Sequence, residues 1–532
     1  AFFQRELTQQ WNEWLVAKYA NDEGLRSAWL GSLLTGESLA ESSVLLLPLL
    51  RAVGLEQAEV LGVNIKRPEA ATYGPRDFSQ QRGADVMAFL VELLVAHKQR
   101  VYAAMRDVGK PGIGISVVPI LFDTGYSFSP QSIYTNSLGD ALAVGCYMSQ
   151  ITLDRQHPRF PFRSNLEEPP RLFYDNPWLE QNRVQGKPTF VYETQIFKPA
   201  KYRAEYPYLL TMLAAIQDWD VIDWHYYGHP TKEILTDERP FDRMLRPDNR
   251  FSWQGVQFKH DEVQLSAMKV AGEMFKQFAY VPPVQPTVMT LGRDSLFDLD
   301  MHEWGRLNPM LAPTTYRYGL RLLFAPDAPG GVSVAGPIVH GRQYLAPVIK
   351  PTPQIQLDWH TGVLTLDSPA AKAACGFLQN EVQLGDGIRI RDVSLGIPEG
   401  MPCVKADEDT YACVGLVATD GQPLKTSKRA LLSAVCTSFN TGFTVDTEAF
   451  PNGDQFGKLV NHVPTNRIAK TFGTAPVLVA RVGLTLEAPC LVGCTFKLLD
   501  WHLNPIREGR IGDDGILTIS SDEPVFIGEF SK

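Results

Sequence analysis

Pro188-Thr-Phe-Val-Tyr-Glu193 is a short apolar run that ends on a carboxylate, and the chain beyond it predicts a helix over Tyr206–Gln217. Three runs of the same kind surround it, at 114–122, 140–147 and 219–227. Short apolar runs separated by helical segments are typical of buried strands in a parallel α/β sheet. Such sheets hold functional residues at the carboxyl ends of their strands, where this sequence has polar and aromatic side chains.

Helical periodicity dominates the chain before these runs. Apolar residues recur at three- and four-residue steps over 2–19 and again over 85–106, which predicts two amphipathic helices. The proline-rich segment 281–286 predicts a stiff connector, because proline fixes φ and removes a hydrogen-bond donor. We therefore predict two parts, residues 1–283 and residues 284–532.

The second part is predicted to be all-β and sandwich-like. Its short segments alternate apolar and polar residues and are bounded by Gly, Pro and Asp, as is typical of strands joined by tight turns. The predicted strands include 354–359, 362–366, 477–484 and 515–519. We expect this region to brace the first part or to mediate oligomerisation.

Composition narrows the class of protein. The 532 residues are 44% hydrophobic and 20% charged, as in an ordinary globular protein. A net charge of -9 without a basic run argues against a nucleic-acid partner. The most apolar stretch, 43–53, is interrupted by Pro48 and Arg51 and is too short for the ~20 residues that span a bilayer, so no membrane partner is expected.

The cysteines do not decide in which cellular compartment the protein is located. The seven cysteines show no CxxC spacing for a metal or redox site. Cys490 and Cys494 fit either a short disulfide in an exported protein or two buried free thiols. A secreted or periplasmic location is favoured over a cytoplasmic one.

Glu193 needs an explanation, because a carboxylate on a buried strand is costly unless it is paired or lies in a polar cleft. One explanation is an ion pair with Lys198 or Arg203. The next run favours a functional site, since Asp223-Trp-His-Tyr-Tyr-Gly-His229 gathers an acid, two imidazoles and three aromatic rings. Aromatic faces stack on sugar rings, and carboxylates and imidazoles bind sugar hydroxyls. Taken alone, Trp224 or Tyr226 is more often a core residue, and a single histidine is usually a hydrogen-bonded structural group.

A family resemblance supports this reading. Trp11-Asn-Glu-Trp-Leu-Val-Ala-Lys-Tyr19, followed by Gly24-Leu-Arg-Ser-Ala-Trp29, resembles the helix and turn after strand four of family 42 β-galactosidases and related clan A barrels. The resemblance covers roughly residues 1–280. It implies an α/β fold, with the C-terminal half of a (β/α)8 TIM barrel over residues 1–283.

The same resemblance implies a retaining glycoside hydrolase that cleaves β-linked oligosaccharides or polysaccharides, without cofactor or metal. Glu193 matches the strand-seven nucleophile, and Tyr147 would donate a hydrogen bond to it. The residues expected to bind the substrate are Tyr147, Tyr192, Trp224, His225 and Tyr226. Strands one to four and their Asn-Glu acid/base have no counterpart, so we expect the acid/base outside this chain, on an N-terminal segment or chain that completes the barrel.

Two other functions remain open from the sequence. A non-catalytic carbohydrate-binding or scaffold protein would explain the missing acid/base. A metal-dependent hydrolase would need two or three ligands at strand ends, for which Asp223, His225 and His229 form a weak set. Assembly into a homo-oligomer is also left open.

Overall fold

The computed structural model describes most of the chain, and the statements below refer to those residues. They are 2–46, 57–60, 63–66, 79–108, 130–147, 183–195, 202–224, 261–277, 279–280, 285–297, 314–315, 318–338, 348–352, 354–358, 361–401, 410–445 and 469–532.

Three helices and a hairpin begin the fold. The helices are α1 (Phe2–Tyr19), α2 (Asp22–Ala28) and α3 (Gln80–Val108), and the antiparallel hairpin joins β1 (Gln57–Val60) to β2 (Val63–Lys66). Apolar side chains at three- and four-residue steps on α1 and α3 meet in one small core. At its centre Trp11 stacks on Trp14 and Trp29, with ring centroids 5.6 and 6.2 Å apart.

A three-stranded parallel sheet follows. Its order is β3 (Leu142–Tyr147), β4 (Thr189–Gln195) and β5 (Val221–Trp224). The short helix α4 (Pro130–Asn136) precedes β3, and α5 (Tyr206–Gln217) and α6 (Glu262–Lys276) pack against each other. Helix α5 is buried on nearly every side, which explains why its sequence is apolar without a polar face.

A second small sheet lies beside the first. It contains β6 (Thr287–Gly292), β7 (Leu320–Ala325) and β8 (Val332–Ala335), in the order β7-β6-β8, and the four-residue helix α7 (Arg293–Leu296) follows β6. Strands β6 and β7 are parallel, whereas β8 is antiparallel to β6. Val184, just before β4, forms a parallel bridge with Leu322 of β7 and so joins the two sheets.

The remaining strands form antiparallel sheets. In chain order they are β9 (Val348–Thr352), β10 (Ile355–Asp358), β11 (Val363–Asp367), β12 (Ala371–Phe377), β13 (Val382–Gln383), β14 (Arg389–Gly396), β15 (Tyr411–Ala418), β16 (Arg429–Val435), β17 (Ser438–Val445), β18 (Ala469–Val479), β19 (Arg481–Glu487), β20 (Thr495–Leu499), β21 (Pro505–Arg510), β22 (Ile516–Ile519) and β23 (Ile527–Ser531). A nine-stranded sheet has the order β21-β20-β23-β16-β15-β12-β11-β10-β9, a four-stranded sheet has the order β13-β14-β19-β22, and β17 pairs with β18.

One core joins the helices to these sheets. Helix α6 contacts β15 and β16, and Tyr208 of α5 lies 2.5 Å from the Ser433 hydroxyl. Small residues on the sheet allow this approach, since Gly415 pairs with both Ala373 and Ser433, and a side chain at Gly415 would overlap the Tyr208 ring. The core therefore includes residues on both sides of position 283.

The prediction of half a (β/α)8 TIM barrel is wrong. The described residues form six sheets, most of their strands are antiparallel, and the sheet that carries Glu193 has three strands. Short apolar runs between helices occur in any parallel sheet, whereas closure into a barrel depends on strand number and shear, which local patterns do not encode.

One predicted strand is also divided. The segment 477–484 contains the end of β18 and the start of β19, which are separated at Ala480. Within the described parts of the chain, no helix is long and apolar enough to span a membrane.

Candidate functional site

Strand β4 carries a β-bulge at Tyr192 and Glu193. Val191 pairs with Val144 of β3, but the next pair joins Glu193 to Gly145. On the other side, Val191 pairs with Ile222 of β5 and Thr194 pairs with Trp224. Two residues of β4 therefore lie opposite one residue of each neighbour, as in a bulge.

The bulge turns Tyr192 and Glu193 to the same face of the sheet. Val191 and Thr194 are both fully buried, Val191 in the core beneath the helices and Thr194 hydrogen-bonded to the Tyr206 hydroxyl at the start of α5. In a regular strand, residues three apart face opposite sides. Because Val191 and Thr194 both face the helices, Tyr192 and Glu193 between them face the other side of the sheet. Glu193 is half-buried on that side.

Two neighbouring residues complete this face. Gly145 leaves room for the Tyr192 ring, since an added Cβ would lie 2.8 Å from its Cζ atom. Asp223 is exposed and lies between Ile222 and Trp224, which pack against the helix-side core. Glu193 and Asp223 thus share one face on adjacent strands, and adjacent strands of a sheet lie about 4.8 Å apart. We refer to Gly145, Tyr192, Glu193 and Asp223 as the strand-end site.

Trp224 lies on the opposite, helix-covered face. Its ring meets Tyr206 edge-on, with centroids 5.5 Å apart and an interplanar angle of 88°. The sequence predicted both Trp224 and Tyr192 as substrate-binding residues. The structure brings Tyr192 next to Glu193 and brings Trp224 against α5.

Of the other predicted residues, only some lie in the part of the chain that the structure describes. The backbone of Tyr147 pairs with Gln195, so the residue directly beside Glu193 on β3 is Gly145. His225, Tyr226, His229 and Lys198 lie outside the described residues. Among the described residues, no group of three or more His, Cys, Asp or Glu side chains could hold a metal ion.

A buried polar network lies behind the site, in the 3-10 turn Arg203–Glu205 that leads into α5. Arg203 pairs with Asp261, which caps α6, at 2.8 Å, and also binds the Ser438 carbonyl at 3.2 Å. The Tyr411 hydroxyl donates to the Tyr202 carbonyl at 2.8 Å and also lies 3.1 Å from the Glu205 carboxylate. Burial raises the pKa of Tyr411 well above its ordinary value, so this hydroxyl keeps its proton. The network holds the start of α5 in place.

Sequence reasoning missed several of these residues. Asp261 precedes an amphipathic run, and that is a capping signal which could have been recognised. The role of Gly145 and the position of Asp223 opposite the bulge carry no local signal, because they depend on the register of three strands. Cys490 and Cys494 are free, buried thiols in the structure.

Comparisons of the chain with family models, with curated proteins and with solved structures gave no match. The functional assignment therefore depends on the chemistry of the strand-end site.

Proposed function

We propose that this chain cleaves β-linked glycosides with retention of configuration, with Glu193 as the nucleophile. The observation that supports this most directly is the bulge in β4, which puts a half-buried carboxylate on the face of a parallel sheet opposite α5, near the carboxyl ends of its strands. A bulge at such a position commonly re-aims a functional side chain.

The chemistry has two displacements. A Glu193 carboxylate oxygen bonds to the anomeric carbon as the glycosidic C–O bond breaks, and the leaving oxygen takes a proton from a carboxylic acid. Water then attacks the same carbon, gives its proton to that acid's conjugate base and releases Glu193. Asp223 would accept hydrogen bonds from sugar hydroxyls, and the Tyr192 ring would contact an apolar sugar face.

The test uses 2-deoxy-2-fluoro glycosides with dinitrophenyl leaving groups, which depart without protonation. We expect the intact mass of the protein to rise by one fluorosugar, with the adduct on Glu193. Glu193→Gln should form no adduct and should lower kcat/KM on aryl glycosides by at least about a thousandfold, as expected for a lost nucleophile. Glu399→Gln, at an exposed glutamate, is the matched control and should behave as the wild type.

Two results would overturn the proposal. One is the lack of any adduct across gluco, galacto, manno, xylo and fuco probes with a protein that is folded by circular dichroism. The other is an adduct that persists in Glu193→Gln. Binding of oligosaccharides without turnover would then favour a carbohydrate-binding protein.

A further inference from the structure

A groove on the outer face of the β10–β11 hairpin has the lining of a second binding site. Its volume is about 340 Å³, within the range of small-ligand pockets, which is roughly 300–1,000 Å³. One wall is the hairpin, where Gln356 pairs with Thr365 and Asp358 pairs with Val363 across the strands. The other wall is segment 380–384, around β13. We call it the hairpin groove.

The hydrogen-bonding groups of the hairpin groove match the hydroxyl groups of a ligand. Gln356, Gln383 and Asn380 provide amides, Thr365 provides a hydroxyl, and each of these groups both donates and accepts. Sugar hydroxyls also donate and accept, so a row of such side chains can match adjacent hydroxyls. No arginine or lysine is among the described residues that line the groove, which disfavours an anionic ligand.

The carboxylates of the groove are already engaged. Asp367 accepts from Lys372 at 2.5 Å and from the Gly385 backbone at 2.7 Å. Glu381 accepts from Gln383 at 2.7 Å. The Thr361 backbone donates to Asp358 at 3.3 Å, so each of the three lining carboxylates already accepts a hydrogen bond within the protein.

An aromatic ring supplies an apolar contact. Phe377 lines the groove and is half-buried, and its ring meets Tyr202 and Tyr411 edge-on at centroid distances of 5.7 and 5.8 Å. These contacts hold the ring in one orientation. A fixed ring beside amides and a hydroxyl is the combination that binds a pyranose, through one apolar face and its polar edge.

We infer that the hairpin groove binds a neutral oligosaccharide without cleaving it. It is built from elements other than the strand-end site, and its occupancy does not require that Glu193 be catalytic. For a protein that acts on polysaccharides, such a groove would hold the polymer on the protein between rounds of cleavage.

The test is native affinity electrophoresis of the full chain in gels that contain galactomannan, xyloglucan, arabinogalactan or mixed-linkage β-glucan. We expect at least one polymer to retard the protein. Gln356→Ala combined with Gln383→Ala should weaken that binding by about tenfold, as expected for the loss of two hydrogen-bonding amides. Gln422→Ala, at an exposed turn, is the matched control and should be retarded like the wild type.

Thr365→Val, which removes one hydroxyl with little change of shape, provides a second variant and should weaken binding several-fold. Lack of retardation by every polymer, or equal retardation of all variants, would overturn the inference. Binding of Ca²⁺ or spermidine that the double variant loses, without retardation by a polymer, would also overturn it. Hydrolysis of aryl glycosides is measured in parallel, so failure of Glu193 as nucleophile is distinguished from failure of the groove.

Discussion

Asp85 illustrates how single residues hold the amino-terminal helices together. Its buried carboxylate accepts hydrogen bonds from Lys18 at 2.7 Å, Tyr19 at 2.6 Å, Trp29 at 2.7 Å and Gln81 at 2.9 Å. These donors come from α1, α3 and the end of α2. A carboxylate can accept about four such bonds, so Asp85 is close to saturation.

Asp85→Asn should therefore destabilise the protein by about 2–4 kcal/mol, because an amide nitrogen replaces an acceptor among buried donors. Chemical unfolding followed by tryptophan fluorescence measures this, since Trp11, Trp14 and Trp29 lie in the same unit. Asp513→Asn, at an exposed position, should change the free energy of unfolding by less than about 0.5 kcal/mol. A similarly small effect of Asp85→Asn would contradict the prediction.

The pH dependence of the free energy of unfolding offers a second measurement of the contacts around Asp85. Burial, and then the hydrogen bond to Asp85, raise the pKa of Tyr19 above its ordinary value. A group whose pKa is higher in the folded protein than in the unfolded chain stabilises the fold at pH values below its unfolded pKa. This stabilisation is therefore lost as the pH rises above about 10. Asp85→Asn should reduce that alkaline loss.

At the scale of elements, the bulge in β4 sets the geometry of the strand-end site. It depends on Gly145, because the Tyr192 ring and the Glu193 carbonyl occupy the space where a side chain on β3 would lie. The glycine has a negative φ, so its role here is space and not backbone conformation.

Gly145→Ala should displace Tyr192 and the Glu193 backbone, from which an added Cβ would lie 2.8 and 3.1 Å away. We expect a loss of about 1–3 kcal/mol in stability, as for overpacking, together with a lower rate of fluorosugar adduct formation. Gly272→Ala is the control, since this helical glycine has open space around it and the change should stabilise the protein by about 0.5–1 kcal/mol. Unaltered stability and adduct rate in Gly145→Ala would argue against this role of the bulge.

At the scale of the whole molecule, α5 and α6 pack on the central strands β15 and β16 of the nine-stranded sheet. Tyr208 and Arg203 reach Ser433 and Ser438 across more than 200 residues of sequence, and a single core includes the helices and the sheet. Such non-local contacts bind the two predicted parts of the chain to each other.

Residues 284–532 expressed alone should therefore expose apolar sheet surface that the helices cover in the full chain. We expect strong binding of the dye ANS and a tendency to aggregate, because large exposed apolar patches favour association. Co-expression with residues 1–283 is the matched control and should suppress both effects. A monomeric fragment 284–532 that unfolds cooperatively without binding the dye would support two independent domains.

Local patterns were enough to predict many helices and strands, and the sequence also singled out Tyr192 and Glu193 of the strand-end site. The periodicity of 206–217 corresponds to α5, and the run that ends at Glu193 lies within β4. Glu193 could be singled out because a carboxylate on an apolar run is costly wherever the strand pairs. The helix and strand predictions succeed because the periodicity of side chains acts over a few neighbouring residues.

The pairing of strands, and the face of the sheet on which each side chain lies, could not be predicted from local patterns. The antiparallel nine-stranded sheet joins β12 to β15 and β16 to β23, which are distant in sequence. In the first part of the chain, the apolar runs at 140–147, 188–193 and 219–227 predicted a barrel but form a three-stranded sheet. The placement of Asp223 beside Glu193, and of Trp224 behind it, depends on one extra residue in β4. A shift of one residue in register reverses the face of every side chain beyond it, so contacts between distant strands decided which residues share the site.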